Sequence, residues 1–287
     1  MKVGIDSYSY HRHFGEVYGP LPDPGRRMTY PEFLRRAVEL GVDGVSLETC
    51  FFESFDPDYL AEMRSIIDGG NLDVVVAWGH PKGFEGGAKP EAMADLVAMF
   101  PVCHALGART MRVVGSSLDY RNDPHEPQLR KLTAIFKEAA ARGEAEGVKL
   151  AMENHFDFTT DEIVDLVDRV GSPYFGITFD TGNSLRIGDD PVESVRQLGR
   201  RILATHTKDV MPVYGVSPKE WYFFACVPVG AGCINMPALV DELEKVGYPG
   251  MLAIELDYLH PDYEDDDQAV AQSVRYLQDL RSSRNGG

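Results

Sequence analysis

Apolar residues along the chain follow two spacings: short continuous runs, and longer stretches with the 3.6-residue period of a helix. The short runs are predicted strands: Val3–Ser7, Gly44–Thr49, Asp73–Trp78, Thr110–Gly115, Lys149–Glu153, Gly176–Asp180, Ile202–His206 and Met251–Leu256. Several are nearly all apolar, as at Val74–Ala77, which is typical of parallel strands covered on both faces. The pattern therefore predicts a buried parallel sheet.

Helical patterns separate these strands, and most of them stop at a glycine. Thr29 and Glu32 have the spacing of a capping box at the start of the first helix, and Gly41 follows its end. The predicted helices are Phe33–Leu40, Pro57–Asp68, Pro90–Leu106, Pro127–Glu146, Thr160–Val170, Pro191–Leu198, Pro237–Val246 and Asp267–Leu280. Strict alternation of strands and helices implies a parallel sheet.

Eight strand–helix units in 287 residues favour closure into a barrel. We therefore expect residues 1–287 to form one domain with an α/β fold, a single (β/α)₈ or TIM barrel. The turn after the first strand, Asp6–Tyr10, has no glycine-rich phosphate loop, which disfavours a dinucleotide-binding fold. The long loops Tyr8–Met28 and Lys208–Asn235 belong to the catalytic face of such a barrel, where we expect them to shape a pocket.

Composition narrows the classes of partner. The net charge of −17 repels a phosphate backbone, so we expect no nucleic-acid partner. No apolar run approaches the roughly 20 residues that span a bilayer, and the first residues do not have the pattern of a secretion signal. The four cysteines have no C-x-x-C spacing and suit a reducing compartment, so we expect a cytoplasmic protein without membrane contact.

Four predicted strands each end in one acidic or imidazole group after an apolar run. They are the last four strands, and the groups are Glu153, Asp180, His206 and Glu255. Neighbouring strands lie about 4.8 Å apart, so these groups can converge on one point. Three carboxylates and one imidazole suit one divalent ion, and we expect Mn²⁺ first, with Mg²⁺, Co²⁺ or Zn²⁺ as alternatives. The alternative is that each residue separately bonds a neighbouring loop.

An ordered set of motifs resembles the xylose isomerase-like superfamily of sugar isomerases and epimerases. The motifs are MENH, FDTGN, THTKD and AIEL, with PVGAG ahead of the last helices. The resemblance implies a TIM barrel in which the same four residues bind one metal. It also implies that Glu153 and Glu255 face each other across a keto sugar as acid and base. A divalent ion in such a site serves as Lewis acid and template, while the carboxylates transfer protons.

The chain departs from the superfamily's ketose epimerases at two positions that bind the substrate end. Asn183 stands where those enzymes commonly have a histidine, and Thr159 where they have a second glutamate. Plain ketose epimerisation is therefore less expected. The three-zinc DNA-repair endonucleases of the superfamily are disfavoured too, because their D-x-x-H and D-x-H motifs are missing and the net charge is wrong.

A finer resemblance concerns the segments DSYSYHRHFGE, AWGHP and HTKDV. They are similar to barrel subunits of bacterial C-glycoside deglycosidases and to related lyases that act on oxidised sugars. In that chemistry a 3-oxo sugar loses its C2 proton to a carboxylate, and the enolate then expels the anomeric substituent. Only this second half differs from epimerisation.

Further polar residues are candidates for the pocket. His155 is expected to donate to a substrate oxygen or relay a proton, the alternative being a supporting hydrogen bond; Lys208 is expected to stabilise the enolate or leaving group, the alternative being a surface lysine. The candidates for substrate binding are Trp78, His80, Asn183, Glu48, Tyr8 and His11. Asp209 is a candidate to orient His206 or a metal-bound water.

The cluster Trp221–Phe224 is apolar and lies in the second long loop. It is expected either to cover the site or to pack on another chain. We expect an oligomer, either of identical chains or with a smaller partner subunit.

Three functions compete. The first is a metal-dependent lyase that cleaves an oxidised (3-oxo) sugar or C-glycoside. The second is an isomerase or 3-epimerase of a keto sugar or cyclitol. The third is a non-catalytic, metal-stabilised sugar-binding barrel. All three take a small sugar or glycoside as ligand.

Overall fold

The fold is built on eight parallel strands that follow one another around a barrel. The computed structural model describes residues 1–17 and 21–285, so residues 18–20 of the first long loop lie outside the described part. The barrel strands are β1 Lys2–Asp6, β2 Gly44–Glu48, β3 Asp73–Trp78, β4 Thr110–Val113, β5 Lys149–Glu153, β6 Phe175–Asp180, β7 Ile202–His206 and β10 Met251–Ile254. Each lies within two residues of its prediction.

The strand order around the sheet is β10-β1-β2-β3-β4-β5-β6-β7. Beyond the end of β7, Thr207 pairs with Ile254 and its N–H donates to the Ala253 carbonyl at 2.6 Å, which nearly closes the circle. Apolar side chains fill the interior and the layer between strands and helices, as Leu47 and Ile177 do with no exposed surface. The predicted (β/α)₈ barrel is confirmed.

Ten helices surround the strands in the described part of the chain. They are α1 Tyr30–Leu40, α2 Pro57–Gly70, α3 Met93–Ala98, α4 Phe100–Leu106, α5 His125–Glu146, α6 Thr160–Val170, α7 Thr181–Arg186, α8 Pro191–Leu198, α9 Met236–Lys245 and α10 Asp266–Asn285. The capping box of Thr29 and Glu32 forms as predicted. None of these helices is long and apolar enough to cross a membrane.

Three local predictions were wrong. The helix predicted over Pro90–Leu106 is broken into a 3₁₀ turn, α3 and α4, since Pro101 cannot donate the hydrogen bond that would continue α3. Helix α2 continues through Gly69 and ends at Gly70, and Asn71 caps it in the left-handed conformation (φ 50°). The second long loop contains an antiparallel hairpin of β8 Asp209–Pro212 and β9 Phe224–Val227.

Candidate active site

The four residues predicted to converge meet at the carboxyl ends of their strands. Glu153, Asp180 and His206 end β5, β6 and β7, and Glu255 follows β10. All four are at most 3% exposed. One ligand atom from each lies within 4.8 Å of the others. His206 Nδ1 is 2.7 Å from Glu255 Oε2 and 3.3 Å from Glu153 Oε1.

Hydrogen bonding in this group tests whether its donors fit a metal ion. In the described part of the chain, Asp180 Oδ2, Glu255 Oε2 and both ring nitrogens of His206 are buried without a hydrogen bond of acceptable geometry. Buried polar atoms are seldom left so. One divalent cation accepts carboxylate oxygens and an imidazole nitrogen together. The four residues therefore fit a single divalent ion.

A buried arginine that the sequence analysis missed sets the charge of this group. Arg112 on β4 donates from Nε to Glu153 Oε2 at 2.6 Å, and its Nη2 lies 3.0 Å from Glu48 Oε1. Burial acts to raise the pKa of Glu153, but the guanidinium and two imidazoles outweigh it and hold that pKa well below its usual range. Burial raises the pKa of Glu48 to about 7 despite the same arginine.

The remaining ligands have pKa values shifted in opposite directions. Burial raises the pKa of Asp180 to about 7, although Lys208 opposes it. The pKa of Glu255 is lowered to about 2, because His206 and Lys208 outweigh its burial. Burial acts to lower the pKa of His206, yet Glu255 and Glu153 raise it well above its usual value. His206 Nε2 also lies 3.4 Å from Asp6 Oδ2, at the end of β1.

Lys208 lies inside this cluster of acids rather than on the surface, with 3% exposure. Its Nζ is 2.8 Å from Asp180 Oδ2, 2.9 Å from Asp257 Oδ2 and 3.2 Å from Glu255 Oε2. Asp257 is held in turn by Arg186, whose Nη2 donates to its Oδ1 at 2.8 Å. A fixed ammonium group thus lies beside two of the candidate metal ligands.

His155 and Asn183 both contact Glu153. His155 Nδ1 donates a hydrogen bond to the Ser116 carbonyl at 3.0 Å, and Nε2 lies 3.3 Å from Glu153 Oε2. Asn183 donates from Nδ2 to Glu153 Oε1 at 3.4 Å and to the Asn154 carbonyl at 3.1 Å. The two side chains therefore orient one carboxylate from two sides.

A pocket of about 320 Å³ opens above the metal-ligand group. Of the predicted site residues, its lining contains Glu153, Glu255, His155, Lys208, Asn183, Tyr8 and His80. It also contains Trp221 of the predicted aromatic cluster, and Arg112 and Phe156, which were not predicted as site residues.

Three predicted substrate contacts lie behind the wall of this pocket. Trp78 packs on Phe84, with ring centroids 5.2 Å apart. The rings of His11 and Tyr8 stack with centroids 4.9 Å apart, and Glu48 is fully buried in an ion pair with Arg112. The three predictions share one weakness: a position near a strand end in the sequence does not show how the next loop folds over it.

The second long loop contributes the rim. Trp221 lines the pocket, and its neighbour Tyr222 stacks on Tyr258 at 4.9 Å. Of the two interpretations of this aromatic cluster, the structure favours a cover for the site. Asp209 does not contact His206 in the described structure; its carboxylate instead accepts the N–H groups of Gly230 and Gly232 at 2.9 Å. It organises the PVGAG loop, and its role toward a metal-bound water stays a prediction.

Comparison with known proteins agrees with this architecture. A family described as "Xylose isomerase-like TIM barrel" matches residues 34–280. The "Putative L-ribulose-5-phosphate 3-epimerase SgbU" of Escherichia coli K12 is 30% identical over 154 residues, 53% of this chain and about half (52%) of that relative. The "Inosose dehydratase" of Clostridium beijerinckii is 22% identical over 287 residues, covering 91% of this chain and 90% of the relative.

Among solved structures, a D-psicose 3-epimerase determined in the presence of D-fructose superposes with a TM-score of 0.76. It is 17% identical and covers 98% of this chain and 99% of its own, so it supports the fold. Because the family match takes in most of the 287 residues, the protein is an enzyme of the xylose isomerase-like TIM barrel family.

Proposed function

We propose that the protein is a divalent-metal-dependent lyase that enolises a keto sugar or keto cyclitol. It then expels the substituent on the carbon β to the carbonyl. The substrate class that we favour is a 3-oxo glycoside, including a C-glycoside. The observation that carries the proposal is the placement of two glutamates about one metal-ligand group. Glu153 and Glu255 approach His206 Nδ1 from β5 and from β10, strands that flank β6 and β7.

The reaction begins with removal of the C2 proton by one of these carboxylates. When bound, the metal ion supplies Lewis acidity at the carbonyl and hydroxyl oxygens. The C–H electron pair forms a C2=C3 double bond and leaves negative charge on the C3 oxygen. As the C3 carbonyl returns, a C1=C2 double bond forms and the C1 bond to the substituent breaks, with its electron pair leaving on the substituent. Lys208 lies beside Glu255 and offers positive charge near the reacting oxygens.

The departures from the ketose epimerases support elimination over epimerisation. Thr159 caps α6 by accepting the Glu162 N–H, so it offers no carboxylate to a substrate. Asn183 donates to Glu153 where an imidazole would bind the sugar end. A relative that aligns over nearly the whole chain is named a dehydratase, and dehydration is an elimination, whereas the L-ribulose-5-phosphate 3-epimerase match covers half. Mn²⁺ is the proposed ion, and an oligomer the proposed assembly.

Release of the substituent tests this function directly. The protein is incubated with Mn²⁺ and a 3-oxo glycoside, and both free aglycone and isomerised sugar are followed by chromatography. We expect aglycone release that requires the ion. Turnover of plain ketoses with no release would instead establish the isomerase or epimerase, which the half-length epimerase relative favours.

Variants Glu153→Gln and Glu255→Gln test the acid/base roles. Because each removes a proton-transferring group, we expect activity to fall by about 10²–10⁴-fold. Bound metal is measured on the same samples, so that loss of the ion is separated from loss of proton transfer. Glu138→Gln on α5, a change of the same kind at a side chain 57% exposed, is the matched control. Full activity in either site variant would exclude these roles.

A further inference from the structure

A second group of polar side chains stands at the pocket rim, away from the metal-ligand group. His80 follows β3, and its Nε2 lies 2.8 Å from Glu16 Oε1. The Tyr8 hydroxyl donates to the same oxygen at 3.3 Å, and the Tyr8 ring lies 4.9 Å from that of His80. Tyr8 and His80 line the pocket, and Glu16 stands behind them in the first long loop. The sequence analysis did not single out Glu16.

The hydrogen bonds of this group fix the role of one ring nitrogen of His80. Burial acts to raise the pKa of Glu16, but its bonds to His80 and Tyr8 outweigh burial and lower it, so the carboxylate is ionised. An ionised carboxylate only accepts, so His80 Nε2 carries a proton and donates it. Nδ1 is the ring nitrogen outside this bond, and within the described part of the chain no hydrogen bond is made by it.

His80 and Lys208 follow strands on opposite sides of the barrel. In the strand order, β3 lies four strands from β7 and so across the barrel from His206 and Lys208. Lys208 itself is a poor proton donor to substrate, because Asp180, Asp257 and Glu255 all hold its charge.

We propose that His80 is the acid that protonates the leaving group, and that Glu16 is the residue that positions it. This inference rests on the proposed elimination. As the C1–O bond of a 3-oxo O-glycoside breaks, its electron pair moves to the departing oxygen, which takes the Nδ1 proton of imidazolium. His80 becomes neutral, and solvent returns the proton. A carboxylate–imidazole pair suits this task because the carboxylate fixes the ring and stabilises its charged form.

The test separates bond cleavage from enolisation by varying the leaving group. Glu16→Gln and His80→Gln are compared with wild type, in Mn²⁺, on 3-oxo glucosides of 4-nitrophenol, phenol and methanol. Since a good leaving group departs without a proton, we expect 4-nitrophenol release within about twofold of wild type and methanol release lowered about 100-fold. Exchange of the C2 proton with D₂O, followed by NMR, should proceed in both variants. His104→Gln on α4, a histidine 49% exposed, is the matched control.

Equal losses for all three leaving groups, together with slower C2 exchange, would show that the pair only maintains the pocket and would overturn the proposal. Unchanged release of methanol would overturn it as well. If the wild type neither exchanges the C2 proton nor releases any aglycone, the proposed function itself fails and this role falls with it.

Discussion

At the scale of single residues, Arg112 is the cation that offsets the buried carboxylates of Glu48 and Glu153. It is 2% exposed and contacts both Glu48 and Glu153. The sequence signal for it was one charged residue inside the otherwise apolar end of a predicted strand, Met111–Val114. That signal identifies a buried charge, but its partners depend on the stagger of β2, β4 and β5, which no local pattern encodes.

Removing this guanidinium should destabilise the fold strongly. Arg112→Met leaves Glu48 and Glu153 buried without their cation, and breaking a buried pair in this way costs about 3–5 kcal/mol. Adding Glu48→Gln should recover part of the loss, because one uncompensated carboxylate is removed with it. Urea unfolding at pH 7 measures both changes. Arg142→Met, at a pair about half exposed, should cost at most about 1 kcal/mol; equal losses at both positions would contradict this account.

At the scale of elements, the sequence predicted what repeats and missed what is irregular. Strands β1–β7 and β10 were found because a buried parallel strand is a continuous apolar run. The six-residue helix α7 was missed because Asp180, read as a strand end, also caps it by accepting the Asn183 N–H at 2.8 Å. The hairpin of β8 and β9 was missed because residues 213–223 separate the two strands, and no local pattern predicts that they pair.

A buried ion pair ties the first long loop to the last helix, which gives a pH-dependent prediction. Arg12 donates to both oxygens of Asp266, at 3.0 and 2.7 Å, and both side chains are nearly buried. Burial acts to raise the pKa of Asp266, but its hydrogen bonds with His13 and Arg12 outweigh this and lower it. A lowered folded-state pKa stabilises the fold above the unfolded value, about 3.9, and that contribution disappears as pH falls through the folded pKa.

Asp266→Asn should therefore destabilise the protein by about 3 kcal/mol at pH 7, since it leaves Arg12 buried without its counter-ion. The difference from wild type should shrink as the pH falls below 4. Urea midpoints measured from pH 7 to pH 3 give both quantities. Asp23→Asn, at an ion pair about half exposed, is the control and should have little effect at any pH. A difference that does not change with pH would rule out the ionic tie.

At the scale of the whole molecule, the barrel gathers charge at one end. The carboxyl ends of adjacent parallel strands meet at one edge, so Glu153, Asp180, His206 and Glu255 could be brought together from the sequence alone. The sequence left open whether Trp221 covers them and did not point to Phe156, because both reach the pocket from loops whose course is set by tertiary packing. A chain of net charge −17 also offers many weak sites for cations, so specific binding has to be distinguished from this background.

Binding of Mn²⁺ should therefore stabilise the native state, and this stabilisation should depend on the four converging groups at one end of the barrel. An ion at 100 times its dissociation constant adds about 2.7 kcal/mol if it binds only the folded chain. For a chain of this size that corresponds to a rise in Tm of roughly 5–10 °C. Thermal unfolding after EDTA treatment, with and without Mn²⁺, measures it. Asp180→Asn should lose most of the rise, whereas Asp168→Asn, 55% exposed, should keep it. The same rise in all three proteins would mean that the ion stabilises through the acidic surface, because only Asp180 lies among the four converging groups.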